Sequence, residues 1–143
     1  MAVDESYLEA VDRFLADPDK LLDGLQPFWK HEKGRGEFQL AWPIRETRSG
    51  AIRSQMRFRV PENDRIYPSI SLLLRGQRVC RVDRTRPHVC KPNPLYAQKL
   101  GLPHEVCGLH AHDWQDNRPH IAERATRDGH WEMPARRPVG DAS

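Results

Sequence analysis

Residues 51–60, AIRSQMRFRV, alternate without interruption from residue 52 onward. Ile52, Ser54, Met56, Phe58 and Val60 fall on one side; Arg53, Gln55, Arg57 and Arg59 fall on the other. Successive side chains of a β-strand point to opposite faces, whereas a helix repeats every 3.6 residues and would scatter this pattern around its surface. The middle of the chain is thereby committed to a sheet with one apolar face, and Arg53, Arg57 and Arg59 project from the other. Phe38, Leu40 and Trp42 alternate in the preceding EFQLAWPI, and ETRSG supplies the turn between the two strands. After the turn-rich PENDRIYP, the stretch SISLLLRGQRVCRVDR reads as a hairpin about Arg75–Gly76, where glycine accepts positive φ.

The flanks read differently. Tyr7, Leu8, Val11, Phe14 and Leu15 recur at helical spacing, and Asp17–Pro18 ends that helix. Asp17 with Pro18 also resembles the cap and first position of a second helix, with Leu21, Leu22 and Leu25 as its apolar face and Gly24 and Pro27 at its end. Pro87, Pro92, Pro94 and Pro103 mark irregular backbone, with a helical turn expected at LYAQKLG. VCGLHAHDW reads as a last strand and PHIAERATRDG as a short helix from Pro119 to Gly129. The expected fold is α+β: two N-terminal helices packed on an antiparallel meander of about five strands, then a short C-terminal helix. Residues 1–133 form one domain in this reading, and 134–143 have the composition of a flexible tail.

Charge is distributed unevenly. Residues 1–29 carry seven acidic and two basic side chains, residues 30–90 carry fourteen basic and six acidic, and the remainder carries seven of each. A basic middle third points to an anionic partner such as nucleic acid, or to a surface neutralised by the acidic N-terminus of the same chain. No apolar run approaches the roughly 18 residues of a membrane helix, and MAVDESYLEA lacks the basic start and apolar centre of a secretory signal. The expected setting is cytoplasmic, with no membrane partner.

Against that background GLHAHDW, residues 108–114, carries chemistry. On a strand His110 and His112 share a face, roughly 6.6 Å apart at Cα. Two imidazoles so placed can act as acid and base on a phosphodiester, which needs no cofactor. They can also grip a metal ion. Cys90, Cys107, His110 and His112 would give a zinc tetrahedron, and His110 and His112 with a carboxylate such as Asp116 a single-metal catalytic site. Three cysteines, Cys80, Cys90 and Cys107, are an odd number and argue against a closed disulfide framework. In RVCRVDRTRPH, Val79, Arg81 and Asp83 share one strand face, so Arg81 and Asp83 can pair, and His88 follows in a proline-shaped loop. Trp114 beside the histidines is placed either to stack a base or to pack in the core.

RVDRTRPH, residues 81–88, followed about twenty residues later by HAH, resembles the small toxins of TumE-type toxin–antitoxin modules. The pattern is an Arg-x-Asp strand end, a nearby Pro-His and a His-x-His on a late strand, and it spans about residues 70–115. Arg81, Asp83, His88, His110 and His112 fall on it. The resemblance implies a compact α+β toxin, attack on RNA by a ribonuclease, and an antitoxin or host protein as partner. Three readings therefore stand: a metal-independent ribonuclease with catalytic His110, His112, His88, Arg81 and Asp83; a metal-binding protein; and a non-enzymatic phage or mobile-element inhibitor that binds through the basic sheet face of Arg53, Arg57 and Arg59.

Overall fold

The computed structural model describes residues 5–124 and 131–140. Its framework is a single eight-stranded antiparallel sheet. Helix α1 (Glu5–Ala16) comes first, followed by β1 (Lys20–Leu22), β2 (Lys30–Glu32), β3 (Glu37–Glu46) and β4 (Ile52–Pro61). Strands β5 (Ser69–Leu74), β6 (Gln77–Asp83), β7 (Cys90–Pro92), β8 (Glu105–Cys107) and β9 (His110–His112) follow, then helix α2 (Trp114–Arg124) and β10 (Arg137–Pro138). The order in the sheet is β1-β3-β4-β5-β6-β9-β10, with β2 also on β3; β7 and β8 form a separate two-stranded ribbon. Among the described residues no helix is long and apolar enough to cross a membrane.

The expected meander of about five strands under two N-terminal helices is not what forms. A single N-terminal helix is present, and the segment read as the second helix supplies β1 instead. Two physical reasons account for this. Leu21, Leu22 and Leu25 stay exposed, so a helix there would bury no apolar stripe. The ten-residue β3 offers an open edge, and Lys20–Leu22 pair with Ile44–Glu46 along it while Lys30–Glu32 pair with Glu37–Gln39 further down. Asp17 does use its side chain on backbone, but the bond from Asp19 N–H makes a tight turn and starts no helix.

The central hairpins form where the alternation places them. Residues 75 and 76 both have positive φ, 50° and 80°, the conformation that joins two right-twisted strands through two residues. One irregularity in β6 has consequences for the site. Leu72 opposes Cys80 but Leu73 opposes Arg78, so Val79 is the extra residue of a bulge. The bulge ends the expected shared face of Val79, Arg81 and Asp83, and moves Arg78 onto that face in place of Val79.

Leu8, Val11 and Phe14 of α1 pack with Leu74, Val79, Trp114, Ile121, Trp131 and Met133 in the main core. Asp12 on the same helix accepts hydrogen bonds from Trp114 Nε1 and Arg118 Nε, and Glu5 accepts from Arg118. Two carboxylates of α1 are thus tied to α2 through Arg118. The expected last strand is broken by Gly108, which has φ +70° and lies so close to Pro87 that a Cβ would sit 3.3 Å from Pro87 Cα. Helix α2 begins at Trp114, earlier than the expected Pro119, which lies inside it; the expected end at Gly129 lies outside the described residues. The LYAQKLG turn is present as a 3-10 helix, Leu95–Leu100. In the segment read as a tail, Ala135 is fully buried and Arg137–Pro138 pair with Ala111 and His110.

Candidate functional site: an arginine–histidine face

Register across the sheet builds two parallel rows of side chains on one face. Arg57 opposes Ser71, Ser71 opposes Arg81, and Arg81 opposes His112. Arg59 opposes Ser69, Ser69 opposes Asp83, and Asp83 opposes His110. Each strand contributes residues i and i+2, so all eight point the same way, opposite to Leu72 and Leu74 on the core side. The period-two pattern of β4 is the reason the arginines share this face with histidines three strands away.

The rows converge on one carboxylate. Asp83 Oδ2 lies 2.8 Å from Arg81 Nε and 3.4 Å from Nε2 of both His110 and His112. Its other oxygen accepts a 2.5 Å hydrogen bond from Ser69 Oγ. Burial of Asp83 opposes its ionisation, yet hydrogen bonds from His110, His112 and Ser69 and the charge of Arg81 outweigh it, so the carboxyl is held well below the usual carboxylate range. Both imidazoles are buried, 3% and 2% exposed, and stand edge to face at 5.2 Å between ring centres.

Backbone carbonyls fix the tautomers. His110 Nδ1 donates to Gly108 O at 2.8 Å and His112 Nδ1 donates to Met133 O at 2.6 Å, because a carbonyl can only accept. Nε2 is therefore the position that exchanges protons on each ring. Arg81 Nη2 lies 2.9 Å from His112 Nε2. A guanidinium only donates, so this contact requires a lone pair on Nε2 and is the alternative to the hydrogen bond from His112 to Asp83. Among the described residues no guanidinium hydrogen-bonds to His110 Nε2, which can carry a proton and point it at Asp83.

Positive charge surrounds the cluster. Arg57, Arg59 and Arg78 have no carboxylate within ion-pair distance among the described residues, and the buried Nε groups of Arg59 and Arg78 have no hydrogen-bond partner there. Burial first, then the neighbouring arginines, pushes the guanidinium pKa values of Arg57 and Arg78 down. Arg78, Arg81, His112, Glu132, Met133 and Arg136 border a cavity of about 280 Å³ that reaches His112.

Other expected residues fall elsewhere. Arg53 lies beyond the rows and is held by Glu46 through two hydrogen bonds of 2.7 and 2.5 Å. Trp114 is core, 1% exposed, with its indole N–H on Asp12 at 2.7 Å. His88 is exposed in the turn after β6, outside the Asp83–His110–His112 group. Cys90 and Cys107 form a disulfide across the β7–β8 ribbon, which removes them from the expected zinc tetrahedron with His110 and His112. The odd cysteine count did not exclude a bridge; it left Cys80 as the unpaired one. Asp116 is bound by Arg137, and the carboxylate near the histidines is Asp83. Sequence reading missed Ser69, Arg78 and Arg136. Ser69 follows once the β5–β6 register is drawn, whereas Arg78 depends on a bulge that leaves no mark in the alternation.

Comparisons of the chain with protein-family models, with curated proteins and with solved structures return no match.

Proposed function

We propose that the protein is a nucleic-acid-directed enzyme, toxin-like in kind, that cleaves RNA with His112 as general base and His110 as general acid. The observation that carries this reading is the convergence of both Nε2 atoms on Asp83 Oδ2 at 3.4 Å each, beside Arg81. Asp83 can stabilise one imidazolium, and with the hydrogen bond from Arg81 in place His112 is the neutral member of the pair. A substrate phosphate competes for Arg81 Nη2 and exposes the His112 lone pair. His112 Nε2 then takes the 2′-hydroxyl proton, the 2′-oxygen attacks phosphorus, and the 5′-oxygen leaves with the proton from His110 Nε2. The products are a 2′,3′-cyclic phosphate and a 5′-hydroxyl. Arg81 and Arg78 stand where the charge on the phosphorane oxygens must be met. The likeness of residues 81–88 and 110–112 to TumE-type toxins points the same way, with an antitoxin or host protein as partner.

The test is cleavage of end-labelled RNA in the presence of a chelator. Cyclic-phosphate products are expected, with a loss of about 10²- to 10⁴-fold in His110→Ala and in His112→Ala. An intact folded protein that leaves RNA uncut, or one whose cleavage is unaffected by both substitutions, refutes the proposal. Growth arrest on expression, relieved by the same substitutions, checks the toxin character.

A second reading is a metal centre of Asp83, His110 and His112, whose ligand atoms lie within 4.8 Å of one another. The 3.4 Å separations match the edge of a tetrahedron with metal–ligand bonds of about 2.1 Å. Nδ1–H groups anchored on carbonyls are also how ligating histidines are oriented. Against it, Arg81 places a fixed cation on His112 Nε2. Metal analysis of the purified protein, with zinc titration of wild type against Asp83→Asn, decides: one ion per chain lost in the variant favours the metal.

A further inference from the structure

The charged face continues past the histidine cluster. Beyond Arg57 and Arg59 the next neighbours across the sheet are Ala41 and Gln39 of β3, and beyond Gln39 lies Lys30 of β2. At this end of the rows a cavity of about 570 Å³ is bordered by Phe28, Lys30, Arg35, Gln39, Arg57 and Arg59. Phe28 is 97% exposed on its wall. We propose that this cavity binds a nucleotide of single-stranded RNA flanking the one that is cut, with Phe28 stacking on its base and Arg57 and Arg59 holding the intervening phosphates. The inference rests on the RNA reading of the His110–His112 centre and names where the rest of that substrate lies.

Three observations favour this occupant. The first is charge complementarity. Four cations border the cavity, and the one carboxylate there, Glu32, lies 3.4 Å from Lys30, leaving Arg35, Arg57 and Arg59 without an ion-pair partner among the described residues. The crowding is strong enough that burial, Arg59 and Arg35 together depress the Arg57 guanidinium pKa. The second is the aromatic ring. A phenyl side chain left in water beside guanidinium groups is the pairing that takes an unstacked base, whose flat face suits any of the four nucleobases. A duplex keeps its base faces stacked on one another and would not present one here. The third is continuity. Arg57 and His112 sit in one row three strand spacings apart, about 14 Å, which is more than one nucleotide and is floored by Ser71 and Arg81. A strand laid along this row meets cations in the cavity, at Arg57 and Arg59, and again at Arg81 and Arg78.

The probe is a fluorescein-labelled 2′-O-methyl oligouridylate of eight nucleotides, which cannot be cleaved through a 2′-oxyanion, and the readout is anisotropy. Phe28→Ala, an exposed position that carries no core packing, is expected to weaken binding about 5- to 150-fold. Arg57→Ala and Arg59→Ala are each expected to lower the slope of log K against log salt by about 0.7. Arg53→Ala, whose side chain is occupied by Glu46, is expected to leave affinity and slope unchanged. Unaltered binding in Phe28→Ala, or equal binding to duplex DNA that is equally insensitive to Phe28, overturns the proposal. So does a Phe28→Ala variant that changes self-association by size-exclusion chromatography and leaves RNA affinity as it was. Because the probe is uncleavable, this result is independent of catalysis: a protein that binds the probe through Phe28 but cuts no RNA refutes the enzyme and keeps the subsite.

Discussion

Replacing Asp83 by asparagine tests whether the centre is organised by charge. The carboxylate accepts from Ser69 Oγ at 2.5 Å and faces Arg81 Nε at 2.8 Å, and its side chain is 15% exposed against 27% for Arg81. Asparagine keeps an oxygen for Ser69 but leaves Arg81 beside Arg78 and two histidines with no counter-charge. Removing one partner of a buried ion pair costs about 3–5 kcal/mol, and the part-exposure of Arg81 sets the expectation at the low end, about 3 kcal/mol. For a chain of this size that lowers Tm by about 6–12 °C. The pH dependence gives a sharper sign. The folded-state pKa of Asp83 is depressed, so its contribution is complete above the unfolded-chain value of about 3.9. As pH falls below that value the unfolded chain binds the proton first, and the contribution is lost toward the lower folded-state pKa. Asp12 and Glu46 are also held low by their arginine partners and steepen the same acid limb, so the quantity that isolates Asp83 is the difference between wild type and variant. Urea titrations from pH 7 to pH 3 should show a gap of about 3 kcal/mol at pH 7, and the gap should narrow below pH 4. A gap that stays constant through pH 3, or no gap at pH 7, refutes the electrostatic account of the cluster.

Three further outcomes follow from residues outside the rows. The disulfide between Cys90 and Cys107 closes a 17-residue separation, so the Cys90→Ser/Cys107→Ser double variant is expected to lose about 3 kcal/mol in chemical denaturation. Thiol titration of the unreduced, denatured wild type should find one thiol per chain, from Cys80, and three after reduction. Trp114→Phe leaves Asp12 without its indole donor in a fully packed position and should cost about 1–3 kcal/mol, while affinity for the uncleavable oligonucleotide stays at the wild-type value.

The parts of the fold that could be read in the chain are those where local pattern and tertiary burial ask for the same thing. AIRSQMRFRV alternates and pairs along both edges, with β3 and with β5, although from Gln55 onward both of its sides are half-buried, and the Arg75–Gly76 turn has the backbone its hairpin requires. The segment DPDKLLDGL shows the opposite case. Its capping residues and leucine spacing are helical, but local propensity is worth only tenths of a kcal/mol per residue, and the unpaired edge of a ten-residue strand offers three backbone-paired positions instead. The start of α2 at Trp114 escaped for a similar reason. The indole is anchored by α1 more than one hundred residues away, a contact that no window of local sequence contains.

The candidate site divides along the same line. His110, His112, Arg81 and Asp83 are each i, i+2 pairs, and period two alone puts both members of a pair on one face. Bringing the two pairs together requires β9 to lie against β6 in one register, where Arg81 meets His112 and Asp83 meets His110. The twenty-six residues between them leave that register open, and in the folded chain two constraints set it. The β7–β8 ribbon with its disulfide turns the chain back, and Gly108, pressed on Pro87, lets it re-enter the sheet beside β6. Gly108 then supplies the carbonyl that orients His110. The segment from Trp131 to Arg136 does the same for His112 through Met133 O, and binds itself to β6 through Trp131 on Arg78 O. Thus the proton-bearing nitrogen of each catalytic candidate is determined by backbone from irregular segments, the parts of a chain whose positions composition encodes least. That is why the residue types of the cluster were visible in the sequence while the difference in contacts between the two histidines appeared only with Arg81 against His112.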